Sequence, residues 1–432
     1  MDGSQPIGHE RCPECGQQLP VLAEYTTWCD QCNWNLQPNA PAAPAGLFAT
    51  LYLQLGQRFS QALYAEVAAQ SDLRPRLTTG KVAAFALASL IHLASLLLVA
   101  AGALILWLEW PHLFAFILAG LFFLLAWGGR PRIPSVPPDV LPREKFPQLY
   151  QLIDSISTTI GGRPIDGVAL VPSYNAAYTQ AGWRRRRYIL LGYPLFYVLA
   201  PQEKVAILAH ELAHGVNGDP LRGLFVGSAV NSLAYWATAL RPTRIWQVTP
   251  GMPLAIFSAI FMVPVNWAMR ALAGLLRLIA QGLLTLVFRD SQRAEYLADS
   301  LAAQVAGSAA MLSGLEKLYL LESVRTAVQQ HVLGNAKSDM FAAIKSRIAS
   351  VPARELERLR RVNLAEFARL DITHPPTPHR VSLLRQNPIL QPQMVLSAAA
   401  DANLMAELAQ QAPTIQRRMA DQFMSSIYQG IY

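Results

Sequence analysis

Two runs of apolar residues in the first third of the chain predict a pair of membrane-spanning helices. Residues 82–107 form a run long enough to cross a bilayer, and residues 113–127 form a shorter but very apolar one. Only residues 108–112 separate them, so the two runs predict a helical hairpin. Basic residues flank this hairpin on both sides, and its turn has none; they are Arg74, Arg76, Lys81, Arg130 and Arg132. By the positive-inside rule, both flanks are expected in the cytoplasm.

A second hydrophobic region, residues 222–288, contains further apolar runs at 224–240, 252–269 and 271–288. In a second hairpin, Arg241 and Arg244 would lie in the outer loop, against the positive-inside rule. Pro264 also interrupts a simple span. Both a membrane-spanning and a re-entrant arrangement therefore stay open for this region.

Helical periodicity also marks the segment before the first hairpin. A linker rich in Pro and Ala is followed by apolar residues at helical spacing in 47–70, namely Leu51, Leu55, Phe59, Leu63 and Val67. The pattern predicts an amphipathic helix. That helix either lies on the membrane surface or packs on the soluble part of the chain.

Outside the apolar runs, the pattern predicts a soluble region of mixed helices and strands. Helices are expected at 143–160, 202–216, 307–330, 354–370 and 398–432, and short strands at 167–171, 176–181 and 188–191. The helix at 202–216 begins after Pro201 and ends near Gly215 and Gly218.

Composition supports a membrane protein. The chain is 52% hydrophobic and only 15% charged, and its mean hydropathy is +0.24. The net charge of +8 is spread without a basic tail, which favours contact with a membrane surface. Four consecutive arginines at 184–187 are interpreted in the same way, and nucleic acid is not an expected partner. Residues 1–10 are polar, so no cleavable signal peptide is expected.

The helix at 202–216 carries the strongest candidate chemistry, an H-E-x-x-H motif. His210 and His214 are four residues apart and share one helix face, where two imidazoles can bind one metal ion. Glu211 lies beside them, placed to polarise a metal-bound water rather than to bind the metal. With 8 histidines in 432 residues, a chance match is expected in roughly one such sequence in a hundred. The motif predicts a catalytic zinc site that still needs a third ligand.

Two carboxylates downstream are the candidates for completing that site. Glu295 and Asp299 are four residues apart on one predicted helical face. Glu295 is the expected third ligand, which gives a His2Glu site with an open fourth position. Asp299 is expected to orient one of the zinc-binding histidines. Without the H-E-x-x-H motif, the pair would indicate only an exposed helix.

All four cysteines lie in the first 32 residues, as two C-x-x-C pairs. Cys12 and Cys15 are separated from Cys29 and Cys32 by 13 residues. This spacing is typical of a zinc ribbon, in which four thiolates bind one structural zinc. Two disulfides are the alternative, which a reducing cytosol disfavours. The ribbon is expected to recruit a protein partner or to regulate the enzyme, and with one Arg and no Lys it gives no support for nucleic-acid binding.

Together these motifs resemble the membrane-embedded zinc metallopeptidases that include HtpX and the CAAX prenyl proteases. The similarity covers roughly residues 83–380 and leaves the cysteine region outside it. It also rests on two shorter matches, Asn175-Ala176-Ala177 and Thr373-His374-Pro375-Pro376 with Arg380. The resemblance implies that Asn175 and Ala176 bind the substrate backbone beside the zinc. It implies that His374 and Arg380 act in catalysis, where a cation stabilises the oxyanion or grips a substrate carbonyl.

The sequence therefore predicts an integral membrane zinc endopeptidase with one catalytic and one structural zinc. Its substrates are expected to be membrane proteins or misfolded proteins, as in HtpX-like quality control. The expected location is a bacterial inner membrane, with the ribbon and the catalytic domain in the cytoplasm. Two alternatives stay open: a CAAX-type protease that trims lipidated substrates, and a non-catalytic zinc-binding membrane scaffold or sensor.

The predicted fold is a mainly α membrane protein with transmembrane hairpins, a cytoplasmic α+β zincin-type peptidase domain with a small sheet, and an N-terminal zinc ribbon. The expected order is zinc ribbon (1–37), linker and amphipathic helix (38–81), transmembrane hairpin (82–128), first part of the peptidase domain (129–221), second hydrophobic region (222–288) and second part of the peptidase domain (289–432).

Overall fold

A computed structural model describes residues 6–38, 47–69, 78–217, 223–241, 255–334, 338–364 and 375–429. The chain divides into two compact units. The first comprises Met1–Arg74, Pro134–Asn217 and Arg293–Tyr432, and the second comprises Pro75–Ile133 and Gly218–Gln292. The described residues are mainly helical, with two small sheets, which confirms the prediction of a mainly α protein with a small sheet.

The described residues form five strands and fifteen helices. The strands are β1 (Pro6–Arg11), β2 (Gln18–Leu22), β3 (Gly167–Val171), β4 (Ala176–Ala181) and β5 (Arg186–Gly192). The helices are α1 (Leu47–Ala69), α2 (Thr79–Leu108), α3 (Leu113–Gly128), α4 (Pro147–Thr159), α5 (Tyr193–Val198), α6 (Pro201–Asn217), α7 (Leu224–Ala239), α8 (Ala255–Ala306), α9 (Ser308–Leu318), α10 (Leu321–Leu333), α11 (Met340–Ala349), α12 (Ala353–Leu364), α13 (Thr377–Gln386), α14 (Ala398–Ala409) and α15 (Ala412–Tyr428).

The second unit packs α2, α3, α7 and the apolar part of α8 around small residues. Ala84, Ala88 and Ala229 are fully buried, which lets the helix backbones approach closely. Large apolar side chains such as Leu96, Trp107 and Phe114 point outward and are mostly exposed. By length and composition, Thr79–Leu108 and Val263–Ala306 are long and apolar enough to cross a membrane. An exposed apolar surface of this extent indicates a membrane protein.

The second hydrophobic region contains one helix where two apolar runs were predicted. Residues 252–269 and 271–288 were expected as separate runs, but α8 continues through Pro264 and Arg270 to Ala306. A proline removes one backbone hydrogen bond, but a membrane helix can continue across it when local adjustments or neighbouring side chains satisfy the freed carbonyl. The same helix therefore carries the apolar segment and, near its end, Glu295 and Asp299. α7 has 16 residues, and residues 242–254 lie outside the described part of the chain.

The three-stranded sheet of the first unit has the order β3-β5-β4. β3 is parallel to β5, and β4 is antiparallel to β5, so β4 lies at one edge of this sheet. Gly192 at the end of β5 donates its N–H to the Asn175 carbonyl. A Cβ atom at this position would lie 2.2 Å from that oxygen, so only glycine allows the close approach. The sheet packs against α6, which brings the H-E-x-x-H motif to β4.

Helix α1 packs on the rest of the first unit. Of the two alternatives left open for it, this is packing on the soluble part of the chain. Leu63 and Val67 are buried with Tyr296 of α8. Tyr64 stacks on His379 of α13 with ring centroids 4.7 Å apart. The side chains of the three other apolar positions of the predicted stripe, Leu51, Leu55 and Phe59, lie outside the described part of the chain.

The first turn of α6 is fixed by the buried carboxylate of Glu203. This carboxylate accepts hydrogen bonds from the Ser313 hydroxyl at 2.6 Å, the Lys317 ammonium at 2.5 Å and the Ala200 backbone N–H at 2.6 Å. Burial alone would raise the pKa of Glu203, but these three donors outweigh it and lower the pKa below its usual value. The helix that carries the two histidines is thereby tied to α9.

Replacing Glu203 with Gln is expected to lower the free energy of unfolding at pH 7 by about 2 kcal/mol, because a charge-assisted network loses its anion. A carboxylate whose folded pKa is lowered contributes stability above its unfolded pKa of about 4.3, and this contribution disappears as the pH falls through the folded pKa. The difference between variant and wild type should therefore shrink on acidification. Thermal unfolding in detergent between pH 3.5 and 7 measures it. The exposed Glu322→Gln variant is the control, and a pH-independent difference would contradict the prediction.

Candidate active site

Three buried side chains from α6 and α8 meet at one point. His210 and His214 lie one turn apart on α6, and their Nε2 atoms are 3.3 Å from each other. Glu295 of α8 places one carboxylate oxygen 3.5 Å from His210 Nε2 and the other 3.6 Å from His214 Nε2. The three residues are only 5%, 3% and 1% exposed. Two ring nitrogens and a carboxylate, removed from bulk water, form a donor set suited to a metal ion.

The spacing of these donor atoms fits zinc. Tetrahedral bonds of about 2.0–2.1 Å place neighbouring ligand atoms about 3.3 Å apart. The separations of 3.3, 3.5 and 3.6 Å between the ligand atoms in the structure lie close to that value. The two imidazole planes are nearly perpendicular, at 88°, so their nitrogens converge on one point instead of stacking. His210, His214 and Glu295 can therefore hold one zinc ion with a fourth position open.

Glu211 lies beside this cluster and is fixed by the edge strand. Its Oε2 atom accepts a hydrogen bond from the Tyr178 backbone N–H at 2.8 Å. In a strand, backbone groups of alternate residues point to the same side, so those of Ala176 and Gln180 face the same way as the Tyr178 N–H. The outer edge of β4 thus runs along the side where Glu211 lies.

Asp299 connects the cluster to a buried arginine. Its Oδ1 atom lies 3.0 Å from His210 Nδ1. Both oxygens of the same carboxylate also accept hydrogen bonds from Arg380, at 2.7 Å from Nε and 2.6 Å from Nη2. Burial alone would raise the pKa of Asp299, but the Arg380 guanidinium and His210 lower it below its usual range. An ionised Asp299 is suited to fix the orientation of the His210 ring.

The electrostatics of the site favour a cation. Burial alone would lower the pKa of His210, but the adjacent carboxylates of Asp299 and Glu295 outweigh burial and raise it to about 9. The same two carboxylates stabilise positive charge at the point where the ligand atoms converge.

Comparison with known proteins agrees with this geometry. The sequence profile of peptidase family M48 matches residues 145–387, more than half of the chain. The chain belongs to peptidase family M48. This membership confirms the resemblance noted from the motifs. The family match includes the H-E-x-x-H motif, Glu295, Asp299 and Arg380, and it leaves out the cysteines and α1.

Similar proteins are named as HtpX proteases. Protease HtpX of Pseudomonas putida is 28% identical over 183 residues, which cover 41% of this chain and 58% of that protein. In another strain of the same species, identity is 25% over 252 residues, covering 57% and 73%. An HtpX homolog of Pyrobaculum aerophilum is 24% identical over 246 residues, covering 55% and 67%. The chain thus spans little more than half the length of the first of these relatives, and no solved structure matches it significantly.

The resemblance predicted four further site residues in this M48 chain, and the structure describes three of them: Asn175, Ala176 and Arg380. Asn175 is exposed and directly precedes β4, whereas the Ala176 side chain is buried, so only its backbone can reach a substrate. His374 lies outside the described residues. Arg380 was predicted to contact substrate or oxyanion. Its guanidinium instead contacts Asp299 in the interior, because a buried cation needs an anionic partner.

Sequence reasoning missed the contact between Tyr178 and Glu211. Its donor is a backbone N–H, which any residue but proline supplies, so no residue type could have indicated it. The ring of Tyr178 also lies against Gly215, where a Cβ atom would come within 3.1 Å of it. That close contact explains why a glycine follows the motif directly.

The four cysteines form a second cluster. Cys12 and Cys32 sulfurs are 3.6 Å apart, Cys15 and Cys29 sulfurs are 3.5 Å apart, and ligand atoms of all four lie within 4.8 Å of one another. A disulfide needs about 2.05 Å, and the four thiols are free. Four thiolates around zinc, with bonds of about 2.3 Å, would be about 3.8 Å apart. The cluster therefore fits a four-thiolate zinc site better than two disulfides.

Replacing Asp299 with Asn is expected to lower the zinc affinity of the histidine site about 10- to 100-fold, because His210 loses the carboxylate that orients it. Zinc retained per chain is measured after dialysis against a graded series of chelator concentrations. Asp154→Asn, which breaks an exposed pair with Arg143, is the matched control. Equal zinc retention by both variants would contradict an orienting role for Asp299.

Proposed function

We propose that this chain is an integral membrane zinc endopeptidase with HtpX-like activity. The observation that carries the proposal is the convergence of His210, His214 and Glu295 on one point, with Glu211 beside it. These four residues supply three zinc ligands and a proton-transferring carboxylate, which are the parts a zinc peptidase needs. When bound there, zinc supplies Lewis-acid polarisation of the scissile carbonyl and of water.

Glu211 performs the proton transfers in this proposal. Its carboxylate takes a proton from the attacking water and later delivers it to the amine nitrogen of the leaving group. The hydrogen bond from the Tyr178 N–H holds that carboxylate in place. A substrate in extended conformation adds to the outer edge of β4, where it pairs with backbone groups of Ala176 and Gln180. Asn175, exposed at the start of this strand, is then available to contact the substrate backbone.

The order of the segments in the sequence supports a site close to the membrane. Glu295 follows Phe288, the last residue of the apolar run, by only seven positions in the sequence. Substrates are then membrane proteins or their juxtamembrane segments, as expected for quality control. The basic flanks of the first hairpin favour a cytoplasmic site in a bacterial inner membrane.

The names of the similar proteins favour this proposal over CAAX-type processing of lipidated substrates, since the relatives described above are HtpX proteases. The scaffold or sensor alternative requires lost hydrolysis, yet the proton-transferring Glu211 and all three candidate zinc ligands are present.

The experiment that tests the proposal compares new protein N-termini in cells expressing wild type or Glu211→Gln. Cleavages seen only with wild type would identify substrates and the membrane face on which they lie. Cleavage of a prenylated peptide by the purified protein would instead favour the CAAX-type alternative. An identical set of N-termini in both strains, with and without membrane stress, would count against endopeptidase activity and favour the scaffold.

A further inference from the structure

The cysteine module, residues 6–38, lies against helix α12 of the same chain. Arginines of α11 and α12 donate hydrogen bonds to it. Arg354 bonds the Trp28 carbonyl, Arg358 bonds the Leu36 carbonyl at 2.7 Å, and Arg361 bonds the Asp30 carbonyl and the Asn33 side chain. Arg347 of α11 pairs with Glu24. One face of α12 therefore contacts this module.

Trp28 is the centre of the contact. It is only 1% exposed, although a module of this size has little core of its own. The guanidinium groups of Arg354 and Arg361 lie 4.9 and 5.0 Å from the Trp28 ring centre. Two cations against one buried indole are worth more than the same contacts in water. Separation of the module from α12 would expose Trp28 and take this ring away from both arginines.

The contact between the cysteine module and α12 depends on the module being folded. Trp28, Asp30 and Asn33 are next to Cys29 and Cys32, so the carbonyls that the arginines bind are oriented by the chain that binds the metal. The apolar cluster inside the module consists of Cys12, Leu19 and Cys29, with Cys32 and Trp34 packed on it. Such a small core does not hold a fold without metal. The α12-binding surface therefore forms only when the four sulfurs are held together.

Helix α12 is connected to the candidate active site through α13. α12 packs against α13, and α13 carries Arg380, which binds Asp299 next to His210. Helix α1 contacts α13 as well, through Tyr64 and His379. The module and α1 both precede residue 145, where the family match begins. The N-terminal extension thus contacts the two helices behind the zinc ligands.

We propose that the cysteine module is an internal, zinc-dependent clamp whose partner is helix α12 of the same chain, and that it holds α12 and α13 in place behind the candidate active site. The clamp goes beyond the endopeptidase activity and does not require it. Zinc at the four cysteines would then control how firmly Arg380 and Asp299 are held.

Amide hydrogen exchange of the full-length protein in detergent tests the clamp. The first variant is Arg354→Ala with Arg361→Ala, and the second is Cys29→Ser, which removes a sulfur ligand. Both are expected to raise exchange in α12 and α13 about tenfold or more, as loss of charge-assisted hydrogen bonds does. Arg360→Ala is the matched control, because Arg360 lies on the same helix and binds Glu316 instead of the module.

Zinc per chain is measured on the same samples. Cys29→Ser should lose one zinc, and the arginine variant should keep both. Unchanged exchange in α12 and α13 in Cys29→Ser would overturn the clamp, and so would an arginine variant that exchanges no faster than Arg360→Ala. Exchange does not depend on hydrolysis, so a failure of the endopeptidase proposal would leave these readouts intact.

Discussion

Glu211→Gln is expected to lower peptide hydrolysis about 10²- to 10⁴-fold, which is the contribution of a positioned general acid–base. Gln matches the shape of Glu, and its amide oxygen can still accept the Tyr178 N–H, so α6 and β4 should keep their contact. Glu211 is not among the three residues whose atoms converge at the metal position. Zinc content should therefore stay unchanged while hydrolysis falls.

The measurement uses detergent-purified protein and a fluorescently labelled unfolded protein as substrate, with zinc counted by emission spectrometry. Glu144→Gln, an exposed carboxylate far along the chain from the motif, is the matched control and should hydrolyse like wild type. If Glu211→Gln keeps more than about a tenth of the activity, another group transfers the proton.

Glu295→Gln is expected to lower the zinc content by one ion per chain. The substitution replaces the only anionic ligand of the proposed site by a neutral amide of the same shape, and zinc sites of this type depend on the carboxylate charge. Hydrolysis should fall at least about a thousandfold, because the metal supplies several kcal/mol of transition-state stabilisation.

The two proposed zinc sites are distinguished by comparing Glu295→Gln with Cys29→Ser. Each variant should lose one zinc, but only Glu295→Gln loses it from the site where Glu211 lies. Hydrolysis should therefore be abolished in Glu295→Gln, whereas Cys29→Ser should keep the zinc beside Glu211 and with it a measurable part of the hydrolysis. Two zinc ions retained in Glu295→Gln would show that the carboxylate is not a ligand.

Features within one continuous segment could be predicted from the sequence. The histidines of the H-E-x-x-H motif share a face because an α-helix repeats every 3.6 residues, and Glu295 and Asp299 share one for the same reason. Apolar length predicted membrane helices, and the two C-x-x-C pairs predicted a four-sulfur cluster. In each case the spacing along the chain fixes the spacing in space, so residue types and intervals were enough.

Contacts between distant segments were decided only by the tertiary structure. Arg380 is 81 residues from Asp299, and its burial, which no local pattern encodes, changed its expected role from contacting substrate to pairing with Asp299. Helix α1 had an apolar stripe that suits a membrane surface or a protein surface equally well, and Tyr296 and His379 determined which one it met. From the sequence, the arginines of α12 form only a charged helix face, and the structure shows that two of them pack against the Trp28 ring. The physical reason is common to all three: a side chain's chemistry is local, but its partner depends on how the whole chain packs.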